Sequence, residues 1–287
     1  MKETASLYGQ FLLSSHLNYP CTYLADHFAG LTQDNVQYFL KHSHFTPRRV
    51  WQSIKKEIIL RSTGYIIFDD TVLNKEHSHP IQLVGRQYWG NVHGLIKGIG
   101  VVNCISYNAQ TNQFWLIDYR MFSPETDGKT KLDPVQDMLN SLQTRDIVYQ
   151  TLLMDSCGCP PGYATVELFK YLIGKQKRFY CPIKANRKID DTQGQQPYKQ
   201  VQQACWSAND VKEGKIIKLY KMTLDTYFKL FPVLLTATRT DFTNDLTQCH
   251  TQAADQESSI RWVVEQFDRE EKQITGIESC QCRLERS

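Results

Sequence analysis

The stretch that decides the fold is Tyr65-Ile66-Ile67-Phe68-Asp69-Asp70-Thr71, an apolar run ending in two adjacent acids. Four β-branched or aromatic residues in a row read as a buried strand. Strand alternation lets only one of the two acids face a given side of the sheet. A second short apolar run, residues 149–154, ends in the same way, at Asp155.

Working outward, β-rich stretches cover residues 98–107 and 113–122, separated by the turn-like Asn108-Ala109-Gln110-Thr111-Asn112. Helices are expected over 131–142 and 164–172, a strand over 178–183, and further strands over 215–220 and 227–238. A polar linker at 190–196 opens that last β-rich region, and a final helix is expected over about 255–273. The order is β-β-β-α-β-α-β, then β-rich sequence, then a helix. This is the element order of an α/β, RNase H-like core with a β-rich insertion before its last helix. The expected division is an N-terminal helical region over 1–60, a core over 61–189 and 252–287, and an insertion over 190–251.

The N-terminal region reads as three short helices, 22–30, 33–41 and 46–60, the third opened by Thr46-Pro47. That third helix carries Arg48 and Arg49. A helix-turn-helix-like DNA-binding unit and a small helical cap without a ligand both fit.

The chain has 287 residues, 41% hydrophobic and 22% charged, the composition of a globular protein with length for a sizeable core. No apolar run approaches the roughly 20 residues that span a bilayer. The start, Met1-Lys2-Glu3-Thr4, does not read as a signal peptide. Nine cysteines, an odd number, argue against a secreted disulfide framework. A cytoplasmic, nucleoid-associated location is therefore expected, with no membrane partner. The net charge of +3 is too small to name a polyanion partner by itself. Its distribution is more telling: residues 168–189 hold seven basic residues, Lys184, Arg187 and Lys188 among them, and no acid. Such a cluster suits phosphate contacts, although a solvated basic face fits it too.

Asp70, Asp155 and Glu265 are the candidate catalytic and metal-ligating residues. Two divalent ions about 3.5–4 Å apart need several hard oxygen ligands in one place. Neighbouring strand ends plus a crossing helix can supply them, and Mg²⁺ needs no histidine or cysteine. At about 100° per residue, Arg261, Glu265, Arg269 and Lys272 fall within roughly 40° of one line on the final helix. Ile260, Val263, Val264, Phe267 and Ile274 lie opposite. The same spacing also makes ordinary i,i+4 ion pairs.

Arg261-x3-Glu265-x6-Lys272 resembles the Tyr-x2-Arg-x3-Glu-x6-Lys signature of one branch of insertion-sequence DDE transposases. Phe68-Asp69-Asp70-Thr71 is similar to that branch's first-aspartate motif and Leu152-Leu153-Met154-Asp155-Ser156 to its second, which favours Asp70 over Asp69. The stretches 70–119, with His93-Gly94-Leu95-Ile96-Lys97-Gly98, and 262–283 resemble cyanobacterial-type members. The resemblance implies Mg²⁺-dependent (two ions) or Mn²⁺-dependent cleavage of double-stranded DNA at inverted-repeat ends. It further implies strand transfer into target DNA, an insertion that handles the DNA end through a hairpin intermediate, and a homodimer assembled on DNA. Arg261, Lys272, Arg269, Lys184, Arg187, Lys188, Arg48 and Arg49 would contact DNA.

Three departures accompany it: Ser258 stands at the signature's tyrosine, Ser156-Cys157-Gly158-Cys159-Pro160-Pro161-Gly162 follows the second aspartate where an aromatic pair is expected, and the sequence stops at Ser287 where the resemblance leads one to expect further helical sequence. An active transposase and a truncated, catalytically inactive remnant that binds transposon ends both remain open, with a host nuclease as a third reading. Cys157-x-Cys159 and Cys280-x-Cys282 are spaced more tightly than the about two to four residues between paired zinc ligands, so free thiols are expected. Trp206 and Trp115 are expected in the core.

Overall fold

The computed structural model describes residues 2–15, 21–78, 81–89, 94–123, 125, 128, 130–155, 163–223, 225–233, 240–275 and 277. His79, His93, Glu278, the 156–162 segment with Cys157 and Cys159, and Cys280 with Cys282 lie outside the described residues.

The N-terminal region is helical, as expected, but holds α1 (Lys2–Ser14) before α2 (Cys21–His27), α3 (Gln33–His42) and α4 (Pro47–Ile54). The Thr32 hydroxyl accepts from the Asn35 amide and starts α3. Thr46 sits extended ahead of Pro47, as a helix start requires, yet α4 ends at Ile54 rather than near residue 60. Trp51 and Ile54 of α4 pack against the main core, while Arg48 and Arg49 are exposed.

The sheet contains β1 (Tyr65–Asn74), β2 (Gly85–Trp89), β3 (Gly94–Asn108), β4 (Gln113–Phe122), β5 (Thr151–Met154) and β6 (Arg178–Ile183). Helices α5 (Leu132–Thr144) and α6 (Val166–Gly174) join β4 to β5 and β5 to β6. β1 pairs antiparallel with β3 and parallel with β5, and β5 pairs parallel with β6. β4 pairs antiparallel with β3, so five strands run in the order β4-β3-β1-β5-β6. β2 was not anticipated. It uses the first five residues of β3, from Gly94 to Gly98, and β4 takes over from Gly100. A Cβ on Gly98 would meet the Leu73 carbonyl oxygen at 2.6 Å, and one on Gly100 the Phe122 ring at 2.6 Å. Bare backbone is needed where the edge of β3 changes partner.

Strands β7 (Lys188–Asp190), β8 (Lys199–Gln200), β9 (Lys215–Leu219), β10 (Tyr227–Pro232) and β11 (Thr240–Thr243) carry the same sheet onward, because β11 pairs antiparallel with β6. A short α7 (Ala208–Glu213) precedes β9, with Ser207 and Asp210 forming a reciprocal cap. The expected final helix is two: α8 (Thr251–Ser259) and α9 (Trp262–Thr275), with a turn at Ile260 and Arg261 between them.

Alternation along the strands sends side chains to two cores. Ile66, Phe68, Leu152, Met154 and Phe179 face α5 and α6 with Val135, Met138 and Phe169. Ile67, Leu153 and Tyr180 face the other way, against Ala254 of α8 and Val264 of α9. The larger core is stapled by four rings: Phe169 stacks on Phe179 at 4.8 Å, and Phe242 meets Phe169 edge-on at 4.9 Å and Phe179 at 5.4 Å. Phe228 of β10 stands 5.6 Å from Phe242. Each ring buried this way contributes about 1.5–3 kcal/mol. Trp115 and Trp206 pack against this core.

Candidate acidic centre

Residues of β1 at odd positions face α8 and α9, as Ile67 does. Asp69 therefore faces α9, and Asp70 the opposite side. Asn103 is the register partner of Asp69 on β3, and its side-chain amide donates to Asp268 Oδ1 at 3.1 Å. β5 ends at Met154, which pairs with Phe68, so Asp155 comes next to Asp69. Three aspartates from β1, the end of β5, and α9 thus share one face.

Their electrostatics are coupled. Burial pushes the Asp69 carboxyl well above the usual carboxylate range, and the charges of Asp70, Asp268 and Asp155 push it further. The Asp70 amide, donating to Asp69 Oδ1 at 2.9 Å, acts the other way. Asp69 keeps some exposed surface; the density of protein around its carboxyl dominates. Asp268 is raised to about 6, chiefly by burial, against the Asn103 hydrogen bond and Lys272, with Asp70 and Glu265 adding to the rise. Glu271, one turn further along α9, is raised to about 7 by burial and by Asp268. Its Oε2 is buried with no hydrogen-bond partner among the described residues.

Of the three acids expected at the site, Asp155 lies in this cluster. Asp70 is turned to the α5 side, where the Lys131 ammonium donates to its Oδ1 at 3.1 Å and also stands 4.8 Å from the Tyr163 ring centre. Both partners are nearly covered, Lys131 at 5% and Asp70 at 9% exposure. Its charge still reaches Asp69 and Asp268. Glu265 is exposed and acts on Asp268, three residues away on the same face. Asn103, Asp268 and Glu271 carry no signal in the sequence that marks them as site residues, beyond the i,i+3 spacing of Glu265 and Asp268; Asp69 ranks behind Asp70 on motif match alone.

The expected basic stripe is interrupted. Arg261 falls in the turn before α9, pairs with Asp241 at 3.6 Å, donates to Ser258 Oγ at 3.0 Å, and is largely buried. Ser258 donates in turn to the Asp241 carboxylate. Lys272 donates to the Val72 carbonyl at 3.2 Å and stands over Trp89 at 5.2 Å, tying α9 to β1. Arg269 is exposed. Ile260, Val263, Val264 and Phe267 pack against the sheet as expected, whereas Ile274 is 38% exposed. In the connection after β6 Lys184 is exposed and Arg187 half-buried, and Lys188, which opens β7, is exposed.

The donor set is all oxygen and strongly anionic, which suits a hard divalent cation such as Mg²⁺ or Mn²⁺. Asp69 has no ion-pair partner among the described residues, and Glu271 Oε2 is orphaned. Yet no three His, Cys, Asp or Glu side chains among the described residues stand close enough to form a ready metal cage. The chemistry of the donors fits; the assembled geometry does not close in this conformation.

Fold and site together define a mixed α/β protein with a carboxylate cluster where the parallel β1–β5 pairing stops, β5 ending there and β1 continuing to Asn74. No helix of the described residues is long and apolar enough to cross a membrane. No protein-family model matches the sequence, and no curated protein does. Among solved structures the chain is similar to Ciona intestinalis endonuclease V in complex with a 24-mer DNA containing an inosine followed by a ribo-adenosine. That likeness has 10% identity over 77% of this chain and 96% of the other, at a TM-score of 0.34. It is also similar to the Mos1 transposase paired-end complex with left transposon end, at 15% identity over 61% of this chain and 57% of the other, TM-score 0.25. The Mos1 mariner paired-end complex with Mn matches at 14% identity over 61% and 57%, TM-score 0.25. These neighbours are DNA-processing enzymes; likenesses at such TM-scores do not define a shared fold.

Proposed function

We propose that this chain is a metal-dependent DNA-cleaving enzyme of the DDE transposase kind, built on an RNase H-like core. The observation that carries the reading is the convergence of Asp69, Asp155 and Asp268 on the α9 face, at the end of β5. The strand order β4-β3-β1-β5-β6, with β3 and only β3 of the central pair's neighbours antiparallel to β1, supports it. So does the resemblance of the residues around Asp70, Asp155 and Glu265 to insertion-sequence transposases.

In this reading Asp69, Asp155 and Asp268 would hold Mg²⁺ or Mn²⁺, with Asp70 and Glu265 within reach of their field. Bound cations would supply activation of the attacking oxygen and stabilisation of the leaving one in an in-line displacement at phosphorus. Asn103 orients the Asp268 carboxylate, and Lys272 fixes α9 against β1. Burial penalises the ionised Asp69 carboxyl, a penalty that a bound multivalent cation would offset. The substrates would be double-stranded inverted-repeat ends and target DNA, engaged by a homodimer assembled on DNA.

A second reading, a remnant that occupies transposon ends without cutting, is favoured by two observations. Lys131 neutralises Asp70, and the acids do not close into a cage.

Nicking of plasmid and of inverted-repeat oligonucleotides with Mg²⁺ or Mn²⁺ separates the two. Activity abolished in Asp69→Asn, Asp155→Asn and Asp268→Asn, each still folded, supports the enzyme reading. Activity lost instead only in Asp70→Asn and Glu265→Gln would move the centre to the acids chosen from sequence. No nicking by the wild type under any metal leaves the remnant reading.

A further inference from the structure

β5 and β6 are parallel neighbours, so the connections that leave their carboxyl ends emerge on the same edge of the sheet. Asp155 leaves β5 there. The connection after β6 carries Lys184, Asn186 and Arg187, and Lys188 opens β7. A pocket of about 310 Å³ opens at that connection, lined by Val166, Asn186, Arg187, Lys188, Tyr220 and Lys221. Among the described residues no Asp or Glu lines it. Val166 is the first residue of the nine-residue α6. Lys221 is held in the left-handed region at φ 69°, which turns the chain sharply after β9.

Three cations converging without compensation is an electrostatic cost unless an anion shares the site. Compensation was available nearby and went elsewhere. Asp191 pairs with Lys199 at 2.8 Å and with Lys215 at 3.7 Å, and Asp190 is held low by the Thr192 hydroxyl and amide and by Lys218. Among the described residues Arg187, Lys188 and Lys221 have no carboxylate partner. Lys188 and Lys221 instead flank the Tyr220 ring, 5.6 Å and 6.0 Å from its centre. Tyr220 is 44% exposed and meets Tyr198, 42% exposed, edge-on at 5.3 Å. Cations beside an exposed aromatic pair suit a phosphate group with the sugar or base against the ring.

We infer that Arg187, Lys188 and Lys221 form a phosphodiester-binding pocket for a DNA strand, with Tyr220 as its aromatic wall, on the edge of the sheet where β5 and β6 end. The inference rests on the DNA reading of the acidic centre for its choice of polynucleotide over a free nucleotide.

The test is fluorescence anisotropy with duplex and single-stranded oligonucleotides across a salt series, in EDTA so that cleavage plays no part. The variant is Arg187→Gln/Lys188→Gln/Lys221→Gln, with Lys188→Arg/Lys221→Arg as the charge-preserving control. In the neutralised variant the slope of log K against log salt is expected to fall by roughly 2–3, given about 0.9 per phosphate on duplex and about 0.7 on a single strand. The control keeps the wild-type slope, and both variants keep the wild-type unfolding midpoint. Which oligonucleotide shows the fall identifies the strand state. An unchanged slope in the folded neutralised variant overturns the inference. So does AMP binding that depends on these cations with no DNA binding. A salt slope that falls as expected in a protein that never nicks DNA upholds the pocket and removes the catalytic reading alone.

Discussion

The Asn103 side-chain amide donates to Asp268 Oδ1 at 3.1 Å, joining the middle of β3 to the middle of α9 across 165 residues of sequence. Asn103 is itself 1% exposed. A buried neutral donor on a carboxylate fixes which oxygen is left for another ligand. Asn103→Ala is expected to weaken Mg²⁺ or Mn²⁺ binding about 10–100-fold, the usual effect of losing such an orienting partner. Calorimetric titration of the metal, with Asn103→Asp as a like-sized comparison, checks this. Unchanged affinity in the alanine variant would remove Asn103 from the site.

The acidic face gives stability a defined pH dependence. Asp268 is raised to about 6 and Glu271 to about 7, both mainly by burial. The groups facing Asp268 are Asn103, Lys272, Asp70 and Glu265; those facing Glu271 are Asp268 and Lys272. Raised folded values mean that folding favours the protonated forms. The stabilisation is complete below the ordinary carboxylate values of about 4 and disappears as pH rises through 6 and 7. The unfolding midpoint should fall between pH 5 and pH 8, fall less in Asp268→Asn, and recover at pH 8 when Mn²⁺ is added. A midpoint that rises over this interval would contradict the assignment.

Lys131 and Asp70 form a nearly covered ion pair. Removing one partner strands the other charge in the interior, so Lys131→Met is expected to lose about 3–5 kcal/mol in urea unfolding. The double variant Lys131→Met/Asp70→Leu should regain most of that loss. If the double variant is no better than the single, the pair is not the source of the cost.

Phe179 joins β6 and α6 to the strands that follow, through Phe169 at 4.8 Å, Phe242 at 5.4 Å and Phe228 at 6.1 Å. Phe179→Ala should cost about 3–5 kcal/mol and should loosen β10 and β11 together with the core strands. Amide hydrogen exchange resolved by segment would reveal this. Loss of protection confined to β6 would show that β11 is held by its ladder alone.

Much of the architecture was legible before any tertiary information. β4 and β6 have the bounds that alternation and turn residues suggested, and Asn112, at φ 51°, closes the β3–β4 turn as an asparagine in that turn should. The helix over 255–273 was legible as amphipathic but not as broken. The break depends on Asp241 drawing in Arg261 and Ser258, a partner 17 residues before Ser258 that no local window contains. The strands of 190–251 were foreseen in part. Their attachment to β6 was not, since edge pairing follows from which ladder is left open once the core has formed.

The sequence by itself determined that acids follow two buried apolar runs, and that Asp69 and Asp70 point to opposite faces. The opposite facing follows from the two-residue period of an extended backbone, a strictly local property. Asp155 does stand at the end of its strand, whereas β1 runs on past Asp70 to Asn74, because β3 continues to pair with it. Only the tertiary structure decided which face carries the cluster. Val264 and its neighbours pack α9 against Ile67 and Leu153, which brings Asp268 to Asp69 and leaves Asp70 to Lys131. Helix placement of this kind is set by apolar burial between segments about two hundred residues apart, and no motif spacing encodes it.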